Sequence, residues 1–367
     1  MPADGTLIIK NVPKSAVLRQ PVPPILPLLR HIRIKSNRID SPQIPPQTWQ
    51  GAKQGALYYI ELQSRESWMR VKRTPDTFFK HLTGWPHQPR YLTDLPSVDG
   101  LRVHYIDAGE TDSERVFLCL HGQPTWSYLY RKMIPVFTAS GARVVAPDLL
   151  GFGRSDKPAD AATYGFGFHR QMLLDLIDRL DLDNITLVVQ DWGGLLGLTL
   201  PMARPSRIAR LLVMNTTLAT GASPSEGFEN WRTYCRANPD LQIGRLMQRS
   251  VPALTQDEAA AYDAPFPDAS YKTGVRRFPE MVMTTPDMEG TDISKQAIEY
   301  LSTAWQGQSF MAIGMQDPVL GPEVMTTLRA SIRGCPPPLE IANGGHFLQE
   351  WGQPVAQAAL TRWGDLK

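Results

Sequence analysis

Leu187-Val188-Val189-Gln190-Asp191-Trp192-Gly193-Gly194 is the stretch on which the reading of this chain turns. An apolar run of strand type ends at Gln190, and the two glycines after Trp192 allow a helix to begin at once. A strand that turns into a helix this sharply lifts one side chain above the end of the sheet, and here that side chain is Asp191. Aspartate replaces the serine more usual at such a turn, and Val189 replaces the first glycine of the pattern. A carboxylate there has two readings. It can cap the following helix, or it can displace a leaving group from saturated carbon and form an ester that water then hydrolyses.

The surrounding chain fits a strand placed in this way. Short apolar runs predict strands at Arg102–Ile106, Val116–Leu120, Arg143–Ala146, Ile185–Val189, Leu211–Met214, Phe310–Ile313 and Leu339–Ile341. Helical spacing between them predicts helices over Phe168–Leu180, Gly193–Ala203, Pro322–Ile332 and Pro354–Leu366. This alternation implies an α/β fold with a mostly parallel central sheet flanked by helices. It stops over residues 216–306, which are helical in pattern and rich in aromatics, and resumes at Phe310. An insertion between two strands of one sheet predicts a helical cap over the sheet's C-terminal edge, where ligands bind in open α/β folds. The expected organisation is an extension at 1–70, a core in two parts at 71–215 and 307–367, and the cap at 216–306.

Two further motifs lie at strand ends. His121-Gly122-Gln123-Pro124 follows Val116–Leu120, and would point the Gln123 backbone N–H at the elbow. With the backbone N–H of Trp192 it would form an oxyanion hole for hydrolysis of the ester. His121 itself reads as the residue that holds this loop. Gly344-Gly345-His346-Phe347 follows the last strand, and Gln316-Asp317-Pro318 the strand before it. Asp317 can be read as a turn former before proline, but the order nucleophile, acid, histidine is that of α/β-hydrolases. His346 then activates water and Asp317 orients it.

With its 367 residues, the chain can bury a large core. Its formal charge is +2, unevenly spread: residues 1–73 hold 12 Lys/Arg against 4 Asp/Glu, so the rest is acidic. That is a poor footprint for nucleic acid. No apolar run approaches the roughly 18 residues of a membrane-spanning helix. Three scattered cysteines, Cys119, Cys235 and Cys335, suit neither a disulfide framework nor a zinc site. A cytoplasmic protein is expected, without metal or cofactor, and monomeric. Residues 1–70 carry proline clusters and no sustained periodicity, which predicts a disordered extension or a true start nearer Met69.

Taken together, the elbow, His121–Arg131, Pro147-Asp148-Leu149-Leu150-Gly151-Phe152-Gly153-Arg154-Ser155-Asp156-Lys157-Pro158, Gly314–Pro318 and Gly345-His346-Phe347 resemble the haloalkane dehalogenases. The similarity is to the subfamily whose catalytic acid follows the penultimate strand, and it runs from about Arg73 to the C-terminus. It implies an α/β-hydrolase fold with a cap, acting on small apolar halogenated substrates with water. Asp191 would attack the carbon bearing the halogen, and His346 with Asp317 would hydrolyse the ester. The resemblance also implies that two indole N–H groups hold the leaving halide, those of Trp192 and of Trp231 in Phe228-Glu229-Asn230-Trp231. Phe228 and Phe168 are candidate pocket walls.

The alternative is an epoxide hydrolase, with the same nucleophile but cap tyrosines to protonate the epoxide; Tyr234, Tyr262, Tyr271 and Tyr300 are available. A non-catalytic protein of the same fold would not need the full set of Asp191, Asp317 and His346, and Asp191 excludes a serine esterase.

Overall fold

Strands β3 (Val116–Leu120) and β5 (Ile185–Val189) lie side by side at the centre of the main sheet, every residue of both buried. Continuous apolar runs of this kind are what a parallel strand needs when both faces are covered. The computed structural model describes residues 6–10 and 68–366. The other strands of the main sheet are β1 (Arg90–Leu92), β2 (Val103–Ala108), β4 (Arg143–Pro147), β6 (Ile208–Met214), β7 (Gln308–Gly314) and β8 (Leu339–Ile341). Their spatial order is β8-β7-β6-β5-β3-β4-β2-β1. Pairing is parallel from β8 through to β4 and antiparallel from β4 to β2 and β2 to β1.

All seven expected strands are present, with ends displaced by at most three residues. The three-residue edge strand β1 is too short to show a period of two, and the sequence reading lacked it. Helices α1 (Ile134–Ala139), α2 (Phe166–Arg179) and α3 (Trp192–Gly197) follow β3, β4 and β5. Helix α3 is shorter than the expected Gly193–Ala203. Pro201 stands four residues after Gly197 and has no N–H to continue the ladder, and proline disfavours the α conformation before it.

Between β6 and β7 the chain forms α4 (Glu226–Ala237), α5 (Ile243–Ser250), α6 (Gln256–Asp263), α7 (Thr273–Met281) and α8 (Thr291–Thr303). Helix α9 (Pro322–Ala330) and helix α10 (Gly352–Trp363) complete the fold. The inserted helices are fastened to the sheet by hydrogen bonds from loop residues. Trp126 Nε1 donates to Ala261 O at 3.1 Å, and Gln123 Nε2 to Val275 O at 2.9 Å. A buried ionic cluster adds to this. Arg131 grips Glu350 with two N–H groups at 2.6 and 2.8 Å, and reaches Glu258 of α6 at 2.9 Å. Glu350 lies four residues after His346, so one guanidinium ties the insertion to the loop of the histidine. Planar guanidinium suits this pairing, since its fixed fork matches a carboxylate in two contacts. Removing one member of such a buried pair strands the other charge, at about 3–5 kcal/mol.

For residues 1–70 the sequence predicts a disordered extension or a true start nearer Met69. Thr6–Lys10 is instead a strand, antiparallel to Trp68–Lys72, which pairs in turn with Lys157–Pro158. The expected boundary at residue 70 thus falls inside a strand. The expectation for residues 11–67 lies outside the described residues.

Candidate active site

The backbone at Asp191 has φ 51° and ψ −127°, a conformation costly for any residue with a Cβ, by about 1–3 kcal/mol. It is held from both sides. Asp191 N–H donates to Asn215 O at 3.0 Å, and its carbonyl accepts from Thr216 Oγ1 at 2.7 Å and from the N–H groups of Gly194 and Leu195. Neighbouring glycines make room for this turn. A Cβ on Gly193 would lie 1.9 Å from the carbonyl oxygen of Leu120, and one on Gly122 would lie 2.3 Å from Asp191 Oδ1.

The Asp191 side chain makes no capping bond to α3. It turns away from the helix, and Oδ1 accepts the Gln123 backbone N–H at 2.7 Å. Oδ2 lies 3.6 Å from His346 Nε2. His346 Nδ1 is 2.9 Å from Asp317 Oδ2, on a carboxylate that is wholly buried. That carboxylate also accepts from Asn215 Nδ2 at 3.0 Å and from the Val319 N–H at 2.8 Å. Burial would push the Asp317 carboxyl up, but His346 and the backbone N–H groups of Val319 and Leu320 hold it below its ordinary value. For His346, burial disfavours the charged ring, yet Asp317 and Asp191 outweigh it and raise the pKa to about 10.

Asp191, His346, Gln123, Trp192 and Trp231 all line one cavity of about 390 Å³, and Asp317 stands behind His346. The cavity walls are largely apolar, with Leu195, Phe228, Val282 and Leu320 among them. Trp192 is 2% exposed and packs against Phe278, with ring centroids 4.7 Å apart. No protein acceptor meets its indole N–H among the described residues. Trp231 is carried by α4, and its indole N–H donates to Gln123 Oε1 at 3.2 Å. Phe228 lines the cavity as expected; Phe168 does not, since on α2 its ring packs against His169 instead. His121 serves the loop. Its Nδ1 meets Gly122 O at 2.9 Å, its Nε2 accepts the Leu149 N–H at 2.9 Å, and burial lowers its pKa.

Two residues at the site, and the side chain of a third, were not singled out by sequence reasoning. Asn215, directly after β6, is fully buried and ties Asp317 to Gly314 and Leu320. Its place at a strand's C-terminal end was a usable signal, because site residues gather there. Gln190 contacts His346, and the side chain of Gln123 bridges Trp231 to Val275; nothing in the linear pattern distinguishes these amides. Among the described residues no group of three or more His, Cys, Asp or Glu is gathered as metal ligands would be.

Comparison with known proteins gives consistent matches. A family described as alpha/beta hydrolase fold matches residues 115–353. A haloalkane dehalogenase of Psychrobacter cryohalolentis is 44% identical over 295 residues, 79% of this chain and 96% of that protein. Haloalkane dehalogenase 1 of Mycobacterium tuberculosis is 42% identical over 299 residues, covering 80% and 98%. Among solved structures, haloalkane dehalogenase DpaA from Paraglaciecola agarilytica is 51% identical, with a TM-score of 0.78, over 79% of this chain and 98% of that one. The DpaA structure is tetrameric.

The site's electrostatics yield a direct expectation. A raised pKa means that the His346 ring keeps its proton above 6.5 and loses it only as pH climbs toward about 10. Asp191→Asn neutralises one of the two carboxylates that raise it. Titration of the ring by NMR should then show a midpoint lower by about 1–3 units. An unchanged midpoint would mean that the Asp191 charge does not reach the ring.

Proposed function

This chain belongs to the haloalkane dehalogenases, hydrolases of carbon–halide bonds with the α/β-hydrolase fold, and on that premise we propose that it works through a covalent ester on Asp191. The observation that carries the reading is the shared cavity floor. One carboxylate oxygen of Asp191 rests on the Gln123 N–H while the other faces His346 Nε2 at 3.6 Å.

In the first step Asp191 Oδ2 attacks the carbon bearing the halogen. The carbon–oxygen bond forms as the carbon–halogen bond breaks, and the halide leaves with the bonding electrons. A desolvated anion in an apolar cavity needs donors, and a neutral indole N–H stabilises it without the grip of a full charge. Trp192 supplies one such N–H. Trp231 supplies the second by sharing or releasing its bond to Gln123 Oε1.

In the second step His346 Nε2 takes a proton from water, and the hydroxyl adds to the ester carbonyl carbon. Charge gathers on Oδ1, where the Gln123 backbone N–H already points, with the Trp192 backbone N–H as second donor. Collapse gives the Asp191 carboxylic acid, which ionises to the carboxylate and releases one proton, while the departing alkoxide takes the proton from His346. Overall, haloalkane and water give alcohol, halide and one proton. The substrate is a small, apolar halogenated molecule, a reading that the largely apolar walls support.

An epoxide hydrolase would need tyrosine hydroxyls in the cavity, and none of Tyr234, Tyr262, Tyr271 and Tyr300 lines it. Cytoplasmic residence belongs to the same proposal, supported by three cysteines that are all buried and unpaired. Among the described residues no helix is long and apolar enough to cross a membrane.

His346→Ala exposed to 1,2-dibromoethane should accumulate the alkyl mass on the peptide containing Asp191, read by mass spectrometry. A folded variant without that adduct contradicts the ester. The halide cradle is tested separately by bromide quenching of tryptophan fluorescence. Trp192→Phe or Trp231→Phe should each weaken bromide binding by about ten-fold or more, the loss of one hydrogen bond to a charged group. Unaltered bromide affinity in both variants would remove the indoles from that role.

A further inference from the structure

We propose that Gln190 is a positioning residue that selects the neutral, proton-accepting form of His346 for ester hydrolysis. The inference rests on the reading of His346 as the base.

Gln190 is fully buried at the end of β5, one residue before Asp191. A free carboxamide can present either end to a neighbour, but this one is pinned. Its Nε2 donates to the His346 carbonyl oxygen at 3.0 Å, and its Oε1 accepts from Gln349 Nε2 at 3.4 Å. The His346 carbonyl can only accept, which fixes the NH₂ end of Gln190 on the histidine side. The NH₂ group of Gln190 therefore faces the histidine, and lies 3.1 Å from the imidazole Nε2. An amide NH₂ donates and offers no lone pair, so it favours an unprotonated Nε2 over a protonated one. On the other side of the ring Asp317 accepts from Nδ1. The two contacts together specify the tautomer with its lone pair at Nε2, the atom that must receive the proton of water.

Asp191 acts in the opposite sense while it is charged, because a carboxylate 3.6 Å from Nε2 favours a proton there. The titratable groups facing the ring are Asp191 and Asp317, and Arg249 of α5 is the other charged side chain lining the cavity. Alkylation abolishes the charge of Asp191 and leaves the Gln190 amide in place. The balance at Nε2 then tips toward the free base when the ester is there to be hydrolysed. Gln190 thereby couples the availability of the base to the chemical state of the nucleophile.

The test is single-turnover kinetics with 1,2-dibromoethane across pH, following bromide release for alkylation and loss of the alkyl mass for hydrolysis. Gln190→Glu replaces the donor by an acceptor. Alkylation should stay near the wild-type rate, while hydrolysis at neutral pH falls about 100-fold and recovers at alkaline pH. Gln190→Met removes the donor alone, and should move the pH limb of hydrolysis upward by about one unit, the size of an ordinary hydrogen bond. A merely structural role would slow both steps and leave that limb in place, and this result in folded Gln190→Met overturns the inference. If Gln190→Glu does not fold, Gln190→Met carries the test by itself. His346→Ala separates the two levels: an ester trapped there with an unmoved limb in Gln190→Met refutes only the role of Gln190, and no trapped ester refutes the reading beneath it.

Discussion

One carboxylate is held at the end of a buried strand on a backbone conformation that its own Cβ opposes. At φ 51° Asp191 is kept in place by the Asn215 carbonyl, the Thr216 hydroxyl and two helical N–H groups, and by glycines that leave no atom in its way. The strain has a geometric return. A relaxed turn would let the aspartate cap α3, whereas here its oxygens are directed at Gln123 and His346. Larger side chains at Gly122 or Gly193 would collide with the carboxylate or with β3, so the turn, the nucleophile and the strand beside it form one steric unit.

Charge is arranged around that carboxylate with the same economy. Asp317 is buried and saturated with donors, which keeps it ionised beside His346. Asp191 is partly exposed to the cavity and has a single backbone donor on one oxygen, which leaves the other oxygen free to react. Two carboxylates of different environment thus take different roles, one supporting the imidazole and the other meeting the substrate. The apolar walls strengthen each of these interactions by excluding water. The Arg131–Glu350 cluster contributes at a distance, fastening α6 to the segment that carries His346 and so keeping the two halves of the site in register.

How much of this was legible in the sequence depends on the range of the interaction. Asp191, Asp317 and His346 each follow an apolar strand, and their chain order alone places them at one edge of one sheet. The strands themselves were readable because buried parallel strands are unbroken apolar runs, as in Val116–Leu120 and Ile185–Val189. Short or paired elements were not: Arg90–Leu92 has too few residues for a pattern, and Thr6–Lys10 takes its identity from pairing with Trp68–Lys72. Contacts between distant amides were also hidden. Gln190 and Gln349 are 159 positions apart, and Gln123 and Trp231 are 108 apart, so no local rule could join them. Phe168 is no pocket wall, because a resemblance between sequences does not say which way a helix face turns, and here the ring packs against His169.

The origin of the oxygen in the product alcohol tests the central claim most directly. With enzyme in excess over haloalkane, in water enriched in heavy oxygen, the first turnover should release alcohol that carries ordinary oxygen taken from Asp191, and the label should appear in the peptide containing Asp191. Labelled alcohol in that first turnover, with Asp191 unlabelled, would mean that water attacks the substrate directly and would contradict a covalent ester.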